Sequence, residues 1–513
     1  MNNAPAILKS LVVYAICVPL AMFVGYMLTD PLNYSTFAYA GILGLMLVFP
    51  LLLRWHYALL VFGLNTSMYL FFMKGRPELW IVMVALSLGI SVLERAMSSQ
   101  MHFLHVPQIT WALVCMLGVI YMTAKLTGGM GLRALGSEVY GGRKYIWVII
   151  GIMSYFALTA RRIPPERAGW YIGLYMLSGL TSLIGDLYSI TPSFLHFIFW
   201  FFPPQVSSSE GFTVSITRLA GVATAAAAIA LWLVARYGLR GIFLSGKGWR
   251  LVLFIVTSAM IFLGGFRTRI LSYAFTLGLL FFLEGLHRTR LLLVFVLVGI
   301  LGAVAIVPLA PHLPLAAQRI LSVLPLDVNP EARESAESST KWRIDMWKAL
   351  LPQVPSHLLV GKGYAITMED YQNMGRDTAF HAVDASQQGL ALSADYHNGP
   401  LSVILPFGIW GALAFFWLII AGMRVVYCNF RHGDESLRTF NTYFWVTYLY
   451  VFLRFLFVFG AFNDDIKFFA SAIGFSIALN GGVCRPAPQP VQARPPRVHP
   501  AKILPRVRPA FQR

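Results

Sequence analysis

The sequence predicts an all-α polytopic membrane protein of about fourteen transmembrane helices, and three observations carry that prediction. The chain has 513 residues, of which 57% are hydrophobic and only 12% charged, and its mean hydropathy is +0.66. Soluble proteins carry about 25% charged residues, so a water-soluble multidomain enzyme is excluded. The apolar residues fall in runs of about 16 to 24, the length that crosses a hydrocarbon core about 30 Å thick. No run alternates in polarity as a barrel strand does, and helices satisfy their own backbone inside lipid.

In chain order the candidate spans are 7–28, 34–53, 57–73, 78–93, 109–124, 145–160, 168–190, 217–235, 249–265, 270–286, 291–309, 398–421, 439–460 and 465–482. The first has Lys9 at its start and is not followed by a small-residue cleavage site, so it reads as a retained span rather than a signal peptide. The spans divide the chain into an N-terminal bundle over 1–309 and a large loop domain over 310–396. The last three helices occupy 397–482, and a tail runs over 483–513. The tail holds eight prolines and seven Lys or Arg with no acid, a composition that reads as disordered and cytoplasmic. Its basic charge suits anionic inner-leaflet lipids.

Orientation follows from charge. The chain has 40 Lys and Arg against 22 Asp and Glu, a net charge of +18. Ten of the acids and seven of the cations lie between Pro311 and Tyr396, leaving that stretch at −3 and the rest of the chain at +21. The excess sits in short loops and the tail, which points to membrane orientation and not to nucleic acid. Counting back from a cytoplasmic tail puts both termini inside and the 310–396 loop outside, with Arg54, Arg161-Arg162 to Arg167, Arg236 to Arg250 and His287 to Arg290 on the cytoplasmic side. Lys74 to Arg76, Lys125 to Lys144 and Arg267 to Arg269 break the rule by falling outside. Such residues either bind an anion or extend to lipid phosphates. The four cysteines, Cys17, Cys115, Cys428 and Cys484, show no CxxC or Cys/His spacing, so neither a zinc site nor a disulfide framework is indicated.

A loop of this length between spans is more than a connector needs. Ser338-Ser339-Thr340 offers an N-cap for a helix over Lys341 to Leu351, with Trp342, Met346, Trp347 and Leu350 at helical spacing and Pro352 and Pro355 to end it. Arg343 and Trp347, four apart, share a face. Gly361-Lys362-Gly363-Tyr364 is a glycine-bracketed turn that allows close backbone approach and lacks phosphate-loop spacing. Asp395-Tyr396-His397-Asn398 stands at the mouth of the next span, where His397 is suited to accept a proton and Asn398 to cap the helix. Glu369 and Asp370 have no His or Cys nearby and read as a solvated face. Tyr364, Tyr371 and Tyr396 are suited to sugar stacking but are equally expected at a membrane interface. Asp186, Glu284 and Arg454 lie near span ends; Glu284, one turn from His287 and Arg288, reads as locally paired at the cytoplasmic edge.

His397-Asn398, nine residues, then Gly408-Ile409-Trp410-Gly411 resembles the motif of the bacterial O-antigen ligase and O-antigen polymerase superfamily. Arg343-x-x-x-Trp347 with Gly361-x-Gly363 is similar to that family's lead-in. Gly265-Phe266-Arg267 looks like its Ser-Arg element, with Phe266 in place of the usual Ser and Arg269 as a second counterpart for Arg267. The resemblance covers about 265–480.

It implies a metal-independent, cofactor-free glycosyltransferase. A polysaccharide would pass from an undecaprenyl diphosphate carrier to an acceptor hydroxyl, such as that of lipid A–core, at the periplasmic face of a bacterial inner membrane. His397 and Arg343 would be catalytic. Arg343 with Arg267 or Arg269 would bind the diphosphate through planar, always-charged forks, and Asn398, Trp347, Gly408 and Gly411 would position them. Its partners would be the lipid-linked donor, a glycolipid or glycan acceptor and membrane lipids, with no nucleic acid. A polymerase of the same superfamily uses the same motif. A lipid-linked glycan transporter, a different class, calls for charges distributed through several spans, whereas here they gather at one face. The fold expected is a bundle whose kinked or short spans open a lateral cleft for the polyprenyl tail, roofed by the 310–396 loop.

Overall fold

The computed structural model describes residues 34–98, 102–130, 141–204, 206–210, 215–366 and 394–486, with isolated positions between 14 and 29. The expected first span, Glu369, Asp370, Tyr371 and the tail beyond 486 lie outside them or nearly so.

The architecture is helical. The N-terminal part holds α1 (Tyr34–Gly63), α2 (Leu79–Met97), α3 (Pro107–Thr127), α4 (Gly142–Thr159) and α5 (Pro165–Leu177). A two-stranded hairpin follows, β1 (Val206–Glu210) antiparallel to β2 (Ser215–Leu219), then α6 (Ala220–Phe243), α7 (Gly248–Met260), α8 (Arg267–Leu283) and α9 (Leu291–Leu309). The loop domain contributes α10 (Leu315–Leu321) and α11 (Pro330–Leu350), and the chain closes with α12 (Gly399–His432), α13 (Arg438–Phe457) and α14 (Phe462–Asn480). Five helices among the described residues are long and apolar enough to cross a membrane: Leu79–Met97, Pro107–Thr127, Ala220–Phe243, Leu291–His312 and Gly399–His432.

Several boundaries differ from the sequence expectation. Spans 34–53 and 57–73 form one helix to Gly63, followed by a loop that returns through the Tyr69–Glu78 bridge. The polar Arg54-Trp55-His56 needs no loop, because His56 is fully buried and its Nδ1 bonds Ser87 Oγ at 2.8 Å. Span 168–190 breaks after Leu177 into short 3-10 and α segments. The hairpin, rich in serine and threonine, is a small exception to an all-α fold.

The core centres on α4 and α14, which pack closely, with Tyr155, Phe469 and Phe475 almost fully buried. Gly474 permits that approach, since a Cβ there would lie 3.2 Å from the Tyr155 backbone. At one end of the bundle Asn429, Asn441, Asn480 and Ser476 form a buried amide network, with Asn429 Nδ2 donating to Ser476 Oγ at 3.0 Å and Asn441 Nδ2 to Asn480 Oδ1 at 2.9 Å. Such closed networks fix helix register because each polar atom left open would be costly.

Two helices are interrupted, and each interruption is answered. In α6, Gly238 has φ +66°, and Glu284 at the end of α8 accepts the N–H groups of Leu239 and Arg240 at 3.0 and 2.8 Å. Glu284 therefore caps the restarted half of α6 and is not paired with His287 or Arg288. In α12, Pro406 and Gly408 (φ +64°) break the ladder, and the loop 358–363 fills the gap. Lys362 N donates to Leu405 O at 2.8 Å, Gly363 N to Pro406 O at 2.9 Å, and Ile409 N to Leu358 O at 2.7 Å. A side chain at Gly361 (φ +83°) would strike the Pro406 carbonyl. The glycine-bracketed turn thus approaches the backbone of α12 and fastens the segment before it to that helix.

Candidate functional site

The site is built where α11 lies across the N-terminus of α12. The helix predicted from Lys341 begins eleven residues earlier at Pro330, because Asn329 caps it through Glu331 N at 2.8 Å and the serine run continues the helix instead of starting it. This extension gives α11 three working positions in succession. Ala336 and Thr340 face Arg267, Trp342 and Arg343 face His397, and Trp347 reaches the chain before His397.

His397 sits in the left-handed region at φ +49°, unusual for a side chain of its size. Asn398, the next residue, is the N-cap of α12: its side chain accepts Leu401 N at 3.1 Å. Gly399 packs so tightly on α13 that a Cβ would clash with the Phe455 carbonyl. Trp347 Nε1 donates to Tyr396 O at 2.8 Å and pins the segment from the other side. Backbone strain of this kind persists where surrounding contacts enforce it.

The imidazole is enclosed by rings. Phe459 stacks on it with centroids 4.6 Å apart and planes at 28°, and Trp342 meets it edge-on at 5.6 Å. Its Nδ1 lies 3.5 Å from Asp395 Oδ1, and both atoms are buried with no hydrogen bond among the described residues. Burial pushes the His397 pKa below its usual 6.5; the Asp395 charge opposes this, and the Arg343 charge adds to it. The lowered pKa favours the neutral ring, and the Asp395 carboxylate lies beside its Nδ1.

Arg343 lies with its guanidinium 5.7 Å from the Phe459 centroid, and its Nε is buried without a partner among the described residues. Arg454 approaches the same ring at 5.9 Å and is itself ion-paired with Asp465, which also accepts Ala461 N at 3.0 Å. Burial, and then the neighbouring Arg267 charge, lower the Arg343 pKa without discharging it.

The two alternatives for the third cation separate. Arg267 donates through Nη2 to Ala336 O at 2.9 Å and Thr340 Oγ1 at 3.1 Å, one turn before Arg343 on α11. It opens onto a cleft of about 520 Å³ lined also by Lys341, Asp345 and Lys348. Arg269 turns the other way, donating to Thr224 Oγ1 at 2.8 Å and toward Ala220 O at 3.4 Å, and so fastens α8 to the start of α6.

Trp347, Asn398 and Gly408 support the site in the ways described, and Gly411 packs under Phe407 one turn past the break. Asp395, Trp342, Phe459 and Arg454 were not singled out for this site from sequence. Asp395, two residues before His397, was within reach of a motif reading, whereas Phe459 lies beyond the next helix and carries no local signal. Among the described residues no three His, Cys, Asp or Glu side chains gather as a metal site.

The fold and the site define a multi-pass helical membrane protein in which a partly buried histidine and two arginines gather around one helix at the head of its C-terminal bundle. Residues 251–416 match the family model described as O-antigen ligase, a segment that contains Arg267, Arg343, His397 and Gly411. That family suggests a membrane glycosyltransferase of the ligase or polymerase type. No curated protein matches the chain.

Proposed function

We propose that the protein transfers a glycan from an undecaprenyl diphosphate carrier to an acceptor hydroxyl, of the lipid A–core kind, at the periplasmic face of a bacterial inner membrane, with both termini cytoplasmic. The observation that carries this reading is the convergence of His397, Arg343 and Arg267 on α11, from segments separated by as many as 130 positions.

In the proposed step the acceptor oxygen attacks the anomeric carbon while the bond from that carbon to the diphosphate oxygen breaks. The acceptor proton passes to His397 Nε2, and Asp395 steadies the imidazolium that forms. The bonding pair leaves with the diphosphate, whose growing charge meets Arg343 and Arg267. Direct displacement inverts the anomeric centre. The arginines supply electrostatic stabilisation without requiring a metal.

The lipid tail has a suitable place. The break at Gly408 borders an apolar cleft of about 820 Å³ between α3 and α12, lined by Met122, Leu126, Leu359, Phe407, Trp410 and Trp417. It begins about 15 Å along α12 from His397, at 1.5 Å per residue.

The experiment is the fate of carrier-linked glycan in cells producing His397→Ala at the wild-type level. Full-length polymer accumulating on the carrier supports a ligase. Single repeat units accumulating there support a polymerase of the same superfamily, which uses the same base and the same arginines on a different acceptor. Unchanged surface glycan overturns the role of His397, and donor trapped on the cytoplasmic face would indicate a transporter.

A further inference from the structure

The turn at Gly264-Gly265, just before Arg267, is surrounded by more positive charge than His397 and its two arginines account for. Gly265 adopts φ +65°, and a Cβ there would lie 3.4 Å from Arg218 Cγ on β2. Its carbonyl accepts Arg319 Nη1 at 3.1 Å. Arg319, on α10, is buried, and its pKa is pushed down to about 10, first by burial and then by the charges of Arg218, Arg267 and Arg343. Arg319 thus lies among three further guanidinium groups, from β2, α8 and α11, with Arg218 packed against Gly265 and Arg267 two residues beyond it. None has a carboxylate within ion-pair distance among the described residues.

Their hydrogen bonds sort them. Arg319 is committed to the protein: besides Gly265 it donates to Ser335 Oγ at 3.1 Å and toward Ser335 O at 3.4 Å, tying α11 to the turn that launches Arg267. Arg218 is uncommitted. Its side chain makes no hydrogen bond among the described residues, its Nε is buried without a partner, and its guanidinium lies 5.9 Å from the Phe266 centroid. The phenylalanine standing where the family usually has serine thus lies between this arginine and Arg269, whose guanidinium is 5.5 Å from the same ring. A partly desolvated cation facing other cations is unfavourable unless an anion joins it.

We propose that Arg218, together with Arg267, forms a second oxyanion subsite that takes one phosphate of the diphosphate donor while Arg343 takes the other. This rests on the proposed transferase reading and deepens it. Strand β2 then has a function: it carries a binding arginine from outside the segment that matches the family model. Arg319 is a positioning residue that holds the turn and α11 at a fixed separation.

The test uses the full-length protein in nanodiscs, with inorganic pyrophosphate as the probe. Its inhibition of transfer is measured together with the donor KM and kcat for wild type, Arg218→Met and Arg218→Lys. Methionine keeps the stem against Gly265 and removes the charge; lysine restores charge without the fork. The expected result is an inhibition constant and a donor KM raised about tenfold or more in Arg218→Met, the scale of one charge-assisted contact, with lysine intermediate and kcat less affected. Arg218→Gln replaces the methionine variant if that protein does not fold. A purely packing role would leave pyrophosphate inhibition unmoved. Wild type that transfers glycan and is inhibited by pyrophosphate, with Arg218→Met inhibited equally, overturns the second subsite and leaves the transferase reading intact. Wild type that neither transfers glycan nor responds to pyrophosphate overturns both.

Discussion

His397 stacks on Phe459, their centroids 4.6 Å apart, although they are 62 positions apart with the whole of α12 and α13 between them. The same phenyl ring carries Arg343 and Arg454 at 5.7 and 5.9 Å. One apolar side chain therefore sets the spacing between the proposed base and the proposed phosphate-binding arginine. An aromatic contact of this kind contributes about 0.5–1.5 kcal/mol beyond its burial. Phe459→Leu is expected to lower kcat about tenfold with little change in melting temperature, and Phe459→Tyr to keep most of the rate. Steady-state kinetics beside a thermal melt check this; an unchanged rate in the leucine variant would sink it.

The pH dependence follows from the environment of His397. Transfer requires the neutral ring, and burial holds its pKa below 6.5, so the acid limb of the rate profile should fall below that value. Because Asp395 opposes the shift, Asp395→Asn should move the limb further to acid while lowering the plateau through loss of the fixed tautomer. The linkage has a matching sign. With the folded pKa below the unfolded one, the neutral ring costs the fold nothing at high pH, and stability declines as pH falls through 6.5 toward the folded value. A limb that shifts toward neutral pH in the asparagine variant would contradict the geometry.

Arg267 and Arg269 are two residues apart and should fail differently. Arg267→Met is expected to lose transfer about 10²- to 10³-fold, the cost of removing one transition-state donor, with a nearly native melt. Arg269→Met should lose about 0.5–1.5 kcal/mol of stability because it removes the charge-assisted bond to Thr224 Oγ1, while Ala220 O keeps the Thr224 hydroxyl as its donor. Parallel activity and melting measurements separate them, and equal catalytic losses with equal stability would refute the assignment.

The joint between the glycine-bracketed turn and α12 gives a stability test. Alanine at Gly361 or Gly408 must adopt a positive φ and meet a backbone carbonyl, that of Leu358 at 2.6 Å in the case of Gly408. Each should cost about 1–3 kcal/mol, and the double variant less than their sum, because both strain one contact. Gly278→Ala, in open space on α8, serves as the control and should be neutral or slightly stabilising. Thermal unfolding in detergent reads all four proteins.

Short-range chemistry made much of this protein legible in its sequence. Apolar runs announced the helices because hydrocarbon solvates nothing but apolar side chains and closed backbone ladders. His397-Asn398 marked the head of α12 because a cap and the residue before it are neighbours in the chain. Where helices end was less legible: Arg54-Trp55-His56 reads as a break locally, yet His56 finds Ser87 inside the bundle, and Ser338-Ser339-Thr340 reads as a cap although Asn329 already holds that position.

Convergence was decided by the tertiary structure alone. Nothing local distinguishes Arg267 from Arg269, or marks Arg218 and Phe459 as neighbours of a diphosphate site, because each owes its surroundings to elements brought from elsewhere in the chain. Helix formation depends on interactions within a few residues, so composition and period reveal it. The direction in which an arginine points depends on which carbonyls, rings and hydroxyls the packed helices leave within its reach, and those are assigned only when the bundle closes.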